Sequence, residues 1–328
     1  MRRLHCLVMA GLLTGCASTI DLQAHRGGRG LMPENTLPAF AHALKLGVTT
    51  LELDTGITRD GVVVIGHDPS LNPDIARGPD GKWLQLKESE KRGPSIHSLT
   101  YAELQQFDIG SLKPETAYAK RYPGQKQLNG VRYARLEELF AMVKAAGADR
   151  VRFNIETKIS PFEREETVGP EVFVDSVLSV IRQAEMSHRV TLQSFDWRTL
   201  KIAQAKALDI PTVYLSAQQK FLDNISAGSR EGSAWTAGIN AFEHGNSVAR
   251  MVKAAGGSIW SPYFGDIDES KINEAHALGI KVVAWTVNEP KDIERMLDWK
   301  VDGIISDYPN RVRTAMSARG LALPPVGR

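Results

Sequence analysis

Cysteine is nearly missing from this chain: Cys6 and Cys16 are the two among 328 residues, both close to the N-terminus. The body of the protein therefore has no free thiol and no disulfide framework, and export to an oxidising compartment would cost it nothing. A surplus of charge of one sign is also missing. The 40 Lys and Arg face 38 Asp and Glu, Arg2 and Arg3 account for the whole excess, and no charge run suits a polyanion, so a nucleic-acid partner is not expected. Long hydrophobic runs are few: the mostly apolar stretch Leu4 to Leu13 is about half the ~20 residues needed to span a bilayer. A dinucleotide fingerprint is lacking too. His25-Arg26-Gly27-Gly28-Arg29-Gly30 has glycines, but a His and two Arg crowd the turn.

What is present begins with a targeting segment. Met1-Arg2-Arg3 is a basic start, Leu4 to Leu13 the apolar stretch, and Leu13-Thr14-Gly15-Cys16 follows. The tetrapeptide resembles the lipobox of bacterial lipoproteins, so residues 1–15 are expected to be a signal peptide and Cys16 the lipidated first residue of the mature chain. The protein would then be exported and periplasmic, held on a bacterial membrane only through its N-terminal lipid. Ala17 gives no acidic signal for inner-membrane retention, which favours the outer membrane.

Beyond Cys16, β-rich runs alternate with amphipathic helical patterns. The expected strands are 20–24, 48–53, 151–155, 190–193, 211–215, 258–260, 281–286 and 302–306, with helices such as 37–46, 136–146 and 172–184 between them. Alternation of this kind predicts a parallel sheet, and eight repeats favour closure into a (β/α)8 TIM barrel. Gly47, Gly147, Gly256 and Gly279 each end a helical pattern, where a residue tolerant of positive φ is wanted. Residues 69–134 break the rhythm. Rich in Pro, Gly, Lys and Asn, they are expected to fold as a small insertion subdomain, with a capping box at Thr100 and Glu103. Setting aside 1–15 and 69–134 leaves about 250 residues, the usual size of such a barrel. The barrel domain is placed at 20–316 and a C-terminal tail at 317–328.

Six ionisable residues, His25, Glu52, Asp54, His67, Glu156 and Lys158, stand immediately after short apolar runs, each of which reads as a β-strand. Glu52 and Asp54 are two apart in one strand and share a face. Pointing into a barrel, they repel each other and resist burial unless a cation joins them. With Glu156 they make an all-carboxylate set suited to one divalent cation, Ca²⁺ or Mg²⁺, and less suited to zinc. The competing arrangement pairs these acids with Lys158 and Arg26 as buried salt bridges. His25 and His67 beside such a cluster fit a general acid–base pair, His67 standing on the return arm of a hairpin that turns at Asp60-Gly61. Arg26 and Lys158 are the cations to place on an anionic substrate group. Among the aromatics near strand ends, Phe195, Trp197, Trp260, Tyr263, Phe264 and Trp285, either a pocket wall or a core cap is open, with Trp285 favoured for substrate contact.

Ten ordered pieces between about Leu22 and Val312 carry a resemblance. They include His25-Arg26-Gly27, Pro33-Glu34-Asn35-Thr36, Glu52-Leu53-Asp54, His67-Asp68, Asn154-Ile155-Glu156-Thr157-Lys158, Ala284-Trp285-Thr286-Val287-Asn288 and Ser306-Asp307-Tyr308-Pro309. In these the chain resembles the bacterial glycerophosphodiester phosphodiesterases. The resemblance implies a (β/α)8 barrel with an insertion after the second strand region, which is where 69–134 falls. It implies Glu52, Asp54 and Glu156 as ligands of one Ca²⁺ or Mg²⁺, His25 and His67 as the acid–base pair, and Arg26 and Lys158 on the phosphate. The implied reaction hydrolyses a glycerophosphodiester to sn-glycerol 3-phosphate and an alcohol through a cyclic phosphate. Two alternatives stand beside it: a related two-histidine phospholipase of the lyase type on intact lipids, and a lipoprotein that binds glycerophosphodiesters without turnover. The family's usual Ile-Pro-Thr-Leu is Tyr133-Ala134-Arg135-Leu136 here, and its Thr-Arg after the His-Asp pair is Ala76-Arg77; both departures bear on substrate choice.

Overall fold

A computed structural model describes residues 20–87 and 92–327. The expected signal peptide and Cys16 lie outside the described residues.

The chain winds through eleven strands and ten α-helices among these residues. In order they are β1 (Asp21–Ala24), α1 (Leu37–Leu46), β2 (Thr50–Ile57), β3 (Val63–Ile65), α2 (Tyr101–Leu104), α3 (Ala117–Arg121), α4 (Leu136–Ala145), β4 (Arg152–Thr157), α5 (Pro170–Gln183) and β5 (Val190–Ser194). Then come α6 (Trp197–Lys206), β6 (Thr212–Ser216), the small ribbon β7 (Gln218–Gln219) and β8 (Leu222–Asp223), α7 (Val248–Ala254), β9 (Ile259–Pro262), α8 (Glu269–Ala277), β10 (Lys281–Ala284), α9 (Pro290–Asp298), β11 (Gly303–Ser306) and α10 (Pro309–Ala318). Eight strands pair in parallel in the order β1, β11, β10, β9, β6, β5, β4, β2, and a β1–β2 pairing closes the ring. The architecture is the (β/α)8 barrel that the alternation predicts.

Strand periodicity sets the interior. In β2 and β4 the odd set Leu51, Leu53, Phe153 and Ile155 belongs to one hydrophobic cluster with Phe40, Phe140 and Val177 of the surrounding helices. The alternate set, Glu52, Asp54, Asn154 and Glu156, is paired in register across the two strands, Glu52 with Asn154 and Asp54 with Glu156. A period of two thus puts every polar member on the barrel axis. Amides fill the space beneath the acids: the Asn154 amide donates to Gln23 Oε1 at 3.0 Å and to Gln193 Oε1 at 2.8 Å. Buried polar groups are tolerable only when bonded in this way.

One expectation needs correcting. Glu52, Asp54 and Glu156 do not follow their strands; they lie inside β2 and β4. β2 runs on to Ile57 because its distal half pairs antiparallel with β3, Thr55 opposite Ile65 and Ile57 opposite Val63, so the hairpin lengthens the strand past the acids. α10 likewise continues to Ala318, past the expected barrel boundary at 316, and the chain after it returns to α1, where the Gly327 amide donates to the Leu44 carbonyl.

Residues 69–134 carry α2 and α3 and pack around a second, smaller cluster that includes Leu71, Ile96, Leu104, Ile109 and Tyr133, with Val64 of β3 joining it. The Thr100 and Glu103 capping box opens α2. Among the described residues no helix is long and apolar enough to cross a membrane.

Candidate active site

The turn after β1 builds one side of the site. His25 to Gly27 form a single 3-10 turn in which Arg26 and Gly27 both adopt left-handed backbone, φ 51° and 78°. Gly27 is required there, since a Cβ would stand 2.8 Å from that of Ala39. This geometry aims the Arg26 amide at Glu52, whose Oε2 accepts it at 2.8 Å. The other Glu52 oxygen accepts from the Gln193 amide at 2.6 Å.

The three acids converge. Glu52, Asp54 and Glu156 are buried, and one oxygen from each lies within 4.8 Å of the others. Lys158, directly after β4, places Nζ 3.1 Å from Glu156 and 3.6 Å from Asp54. Arg26 donates from one Nη to Glu34 at 2.9 Å, while its Nε lies 3.4 Å from Asp54 without a hydrogen bond. The salt-bridge arrangement is therefore partly realised, but among the described residues no ion pair reaches Glu52. Burial pushes the Glu52 carboxyl well up, helped by neighbouring Asp54, and burial pushes Glu156 up to about 7 against the pull of Lys158. Burial opposes the charge on Asp54 as well, yet His67, Arg26, Lys158 and the Asn35 amide at 2.9 Å together outweigh it and hold this carboxyl well below its usual range. An all-oxygen, buried cluster whose members resist ionising together is the donor chemistry of a hard divalent cation, and the triad can hold one.

Both histidines flank this cluster and are anchored in the same way. His25 Nδ1 lies 2.5 Å from Asp307 Oδ1, and His67 Nδ1 lies 2.7 Å from Asp68 Oδ1. With Nδ1 occupied, Nε2 is the atom left for proton exchange at each ring. Burial lowers His25 to about 4 and His67 to about 3, with Arg29 acting on the first and Arg26 and Lys158 on the second. Both imidazoles are accordingly neutral near pH 7. His25, Glu52, Asp54, His67, Glu156, Lys158, Arg26 and Trp285 all line one inner chamber of about 110 Å³. His67, Lys158 and Trp285 also border a wider outer cavity of about 500 Å³. The eight residues singled out from the sequence are thus gathered in one place.

Sequence reasoning missed the groups that hold them. Asp307, directly after β11, accepts from His25, from Arg29 Nε at 2.7 Å, from the Asn288 amide at 2.7 Å and from the Tyr122 hydroxyl at 3.2 Å. Asp68 is tied by Asn72 at 2.8 Å. Burial opposes both charges, but their partners keep both carboxyls well below the usual range. A carboxylate directly after the last barrel strand and an amide within β5 were the available signals. Glu34 does not contact the acid cluster; it binds Arg26 and the Tyr118 hydroxyl, and so orders the guanidinium. Of the strand-end aromatics, Phe195 and Trp285 border the cavities, whereas Trp197 and Trp260 belong to the core.

A closed parallel barrel with an acid triad able to hold a hard cation, two anchored imidazoles and two cationic side chains suits hydrolysis of phosphoric diesters. The chain belongs to the glycerophosphoryl diester phosphodiesterase family, whose profile matches residues 25–311. It is 25% identical to a glycerophosphodiester phosphodiesterase of Bacillus subtilis over 88% of this chain and 83% of that one. It is similar to a crystal structure from Silicibacter pomeroyi DSS-3, provisionally named a glycerophosphoryl diester phosphodiesterase, at 36% identity and TM-score 0.82 over 94% and 96% of the two chains. An Oleispira antarctica phosphodiesterase solved with sn-glycerol 3-phosphate shares the fold at 22% identity and TM-score 0.63, covering 91% of this chain and 97% of that one. Hydrolysis of glycerophosphodiesters to sn-glycerol 3-phosphate and an alcohol is the reaction for which the site accounts.

Proposed function

We propose that this enzyme runs its reaction with His25 and His67 as the proton-transfer pair and with Arg26 and Lys158 gripping the phosphodiester anion. Glu52, Asp54 and Glu156 would hold one Ca²⁺ or Mg²⁺, which when bound neutralises the three acids and the charge growing on the phosphoryl oxygens. The observation that carries this reading is the pair of imidazoles, each fixed through Nδ1 to its own carboxylate, lining the same chamber as the buried triad.

The substrate's neighbouring glycerol hydroxyl gives its proton to one imidazole as its oxygen attacks phosphorus. The other imidazole, protonated once the anionic substrate raises its pKa, delivers a proton to the departing alkoxide. A five-membered cyclic phosphate is left. In the second half the roles reverse: water loses a proton to the imidazole that has just given one up and opens the ring, and the ring oxygen recovers a proton from the other. Protons taken and given balance, so both histidines return to their starting state. Arg26 acts as a planar fork and Lys158 as a point charge, and their ion pairs with Glu34, Asp54 and Glu156 hold them in reach of the chamber. Trp285, on the wall of both cavities, supplies an apolar side to the binding site.

The same reading extends to location. The basic start, the apolar stretch and Leu13-Thr14-Gly15-Cys16 support export with lipid on Cys16 and an outer-membrane address. Labelled-lipid incorporation that survives Cys16→Ser refutes it.

The test of the chemistry is release of sn-glycerol 3-phosphate from a panel of glycerophosphodiesters after chelation and re-addition of Ca²⁺ or Mg²⁺. Full activity in His25→Ala or Glu52→Ala under metal-replete conditions would show the assignment to be wrong.

A further inference from the structure

The two cavities differ in size and lining. The inner chamber of about 110 Å³ matches roughly three to four water volumes, room for a small polyol such as glycerol. The outer one, about 500 Å³, is far larger than any small alcohol requires.

Phe195, Trp285 and Phe221 line it, leading away from the phosphate cations, and Tyr263 joins the last two from outside the lining. Lys158 Nζ stands 5.7 Å from the centre of Phe195. Phe195 meets Trp285 edge-on at 5.3 Å, Trp285 meets Tyr263 at 5.5 Å, and Tyr263 meets Phe221 at 5.4 Å. Phe221 is 65% exposed at the lip. Phe162, outside the lining, is 71% exposed and leans on the cavity-lining Trp235 at 6.0 Å. A phenylalanine left in water on the lining of a catalytic cavity, and a second against a lining tryptophan, mark a surface that a ligand covers.

Aromatic rings also suit a quaternary ammonium, but the charges here oppose that occupant. The four acids of the outer cavity are already engaged: Arg92 holds Glu163 at 2.9 Å and Glu166 at 2.6 Å, Lys158 stands 3.1 Å from Glu156, and Asp68 is held by His67 and Asn72. Arg29 and Arg121 lie on the same lining.

Resting on the phosphodiesterase reading above, we propose that the outer cavity is the subsite of the leaving alcohol and selects alcohols that carry an uncharged apolar chain. The glycerol half then occupies the inner chamber, and the chain runs along Phe195, Trp285 and Phe221 to the lip.

The experiment measures kcat/KM for sn-glycerol 3-phosphate release from glycerophospho-ethanol, -butanol and -octanol, with the full enzyme and saturating divalent cation. Chemistry at phosphorus is constant across the series, so only the chain varies. The expected result is a rise with length of up to about fourfold per buried methylene. Glycerophosphocholine is compared with its uncharged 3,3-dimethylbutyl isostere, and the choline ester is expected to be no better. In a Phe162→Ser, Phe221→Ser double variant the octyl-to-ethyl ratio is expected to fall by about tenfold or more; both side chains are largely exposed, so folding is not at stake. A flat chain-length series, an unchanged ratio in the double variant, or a choline ester about tenfold better than its isostere would each overturn the proposal while leaving the phosphodiesterase reading intact. No release from any ester would defeat both.

Discussion

Replacing Asp307 by Asn changes one oxygen into an amide nitrogen, and the consequences can be followed bond by bond. Oδ1 accepts both from His25 Nδ1 at 2.5 Å and from Arg29 Nε at 2.7 Å. If the new carbonyl keeps that place, its NH₂ must face the Asn288 amide nitrogen, now 2.7 Å away, which is itself a donor. Turning Asn288 over would relieve the clash but break the bonds its carbonyl accepts from the Asp307 amide at 2.9 Å and from Ser306 at 3.2 Å. The variant also leaves the buried Arg29 guanidinium without its carboxylate. Removing one partner of such a pair costs about 3–5 kcal/mol. A neutral carbonyl holds the His25 tautomer and ring orientation less firmly than the carboxylate, and a flipped amide would present NH₂ to Nδ1 and select the wrong tautomer; positioned acid–base groups contribute roughly 10²–10⁴ in rate. The expected result of Asp307→Asn is therefore a fall in kcat of at least about 10² with little change in KM, together with a lower urea midpoint. The assay is initial-rate release of sn-glycerol 3-phosphate, run beside urea unfolding of the same preparation. A variant that is destabilised as expected yet keeps kcat within about threefold would show that Asp307 supports the fold and not the proton transfer at His25.

Further outcomes follow from the same contacts. Gln193→Ala removes the 2.6 Å bond to Glu52; divalent-cation affinity should fall about 10- to 100-fold in a calorimetric titration, with kcat at saturating cation nearly unchanged, and equal affinity would contradict the role given to this amide. Cation at about 100 times its Kd should stabilise the metal-free protein by about 2.7 kcal/mol; a Glu52→Gln, Glu156→Gln double variant should show no such rise in Tm, and absence of a rise in the parent with either Ca²⁺ or Mg²⁺ would remove the case for the site. His25 is depressed from 6.5 to about 4, so between those values the unfolded chain binds more protons than the folded one. Stability is then present above about pH 6.5 and is lost as pH falls through the window, on the order of 3 kcal/mol by its lower end. His25→Gln should flatten that limb in urea titrations at stepped pH, and an unchanged slope would refute the burial argument.

Particular residues show how far the sequence reaches. The eight parallel strands were legible because β-rich runs at 20–24 through 302–306 alternate with helical patterns, and side-chain periodicity is a local property of the chain. The site residues were legible because burying Glu52 and Asp54 two apart on one face is unfavourable without a cation, and that argument needs only the strand. The reach of β2 past its acids was not: the turn at Asp60-Gly61 was legible, but how far the two arms pair, Thr55 opposite Ile65 to Ile57 opposite Val63, is not a local property. Asp307 was not, because it meets His25 from 282 positions away.

The amino-acid sequence by itself determined the alternation, the inward-facing acids and which ionisable side chains gather in the chamber, all of which follow from spacing and residue chemistry. Only the tertiary structure decided which carboxylate anchors which imidazole, that Glu52 lacks a cationic partner among the described residues, and that an aromatic wall leads from Lys158 to the solvent. The physical reason is closure of the barrel: it brings residues from both ends of the chain within hydrogen-bonding distance, and no local pattern records those distances.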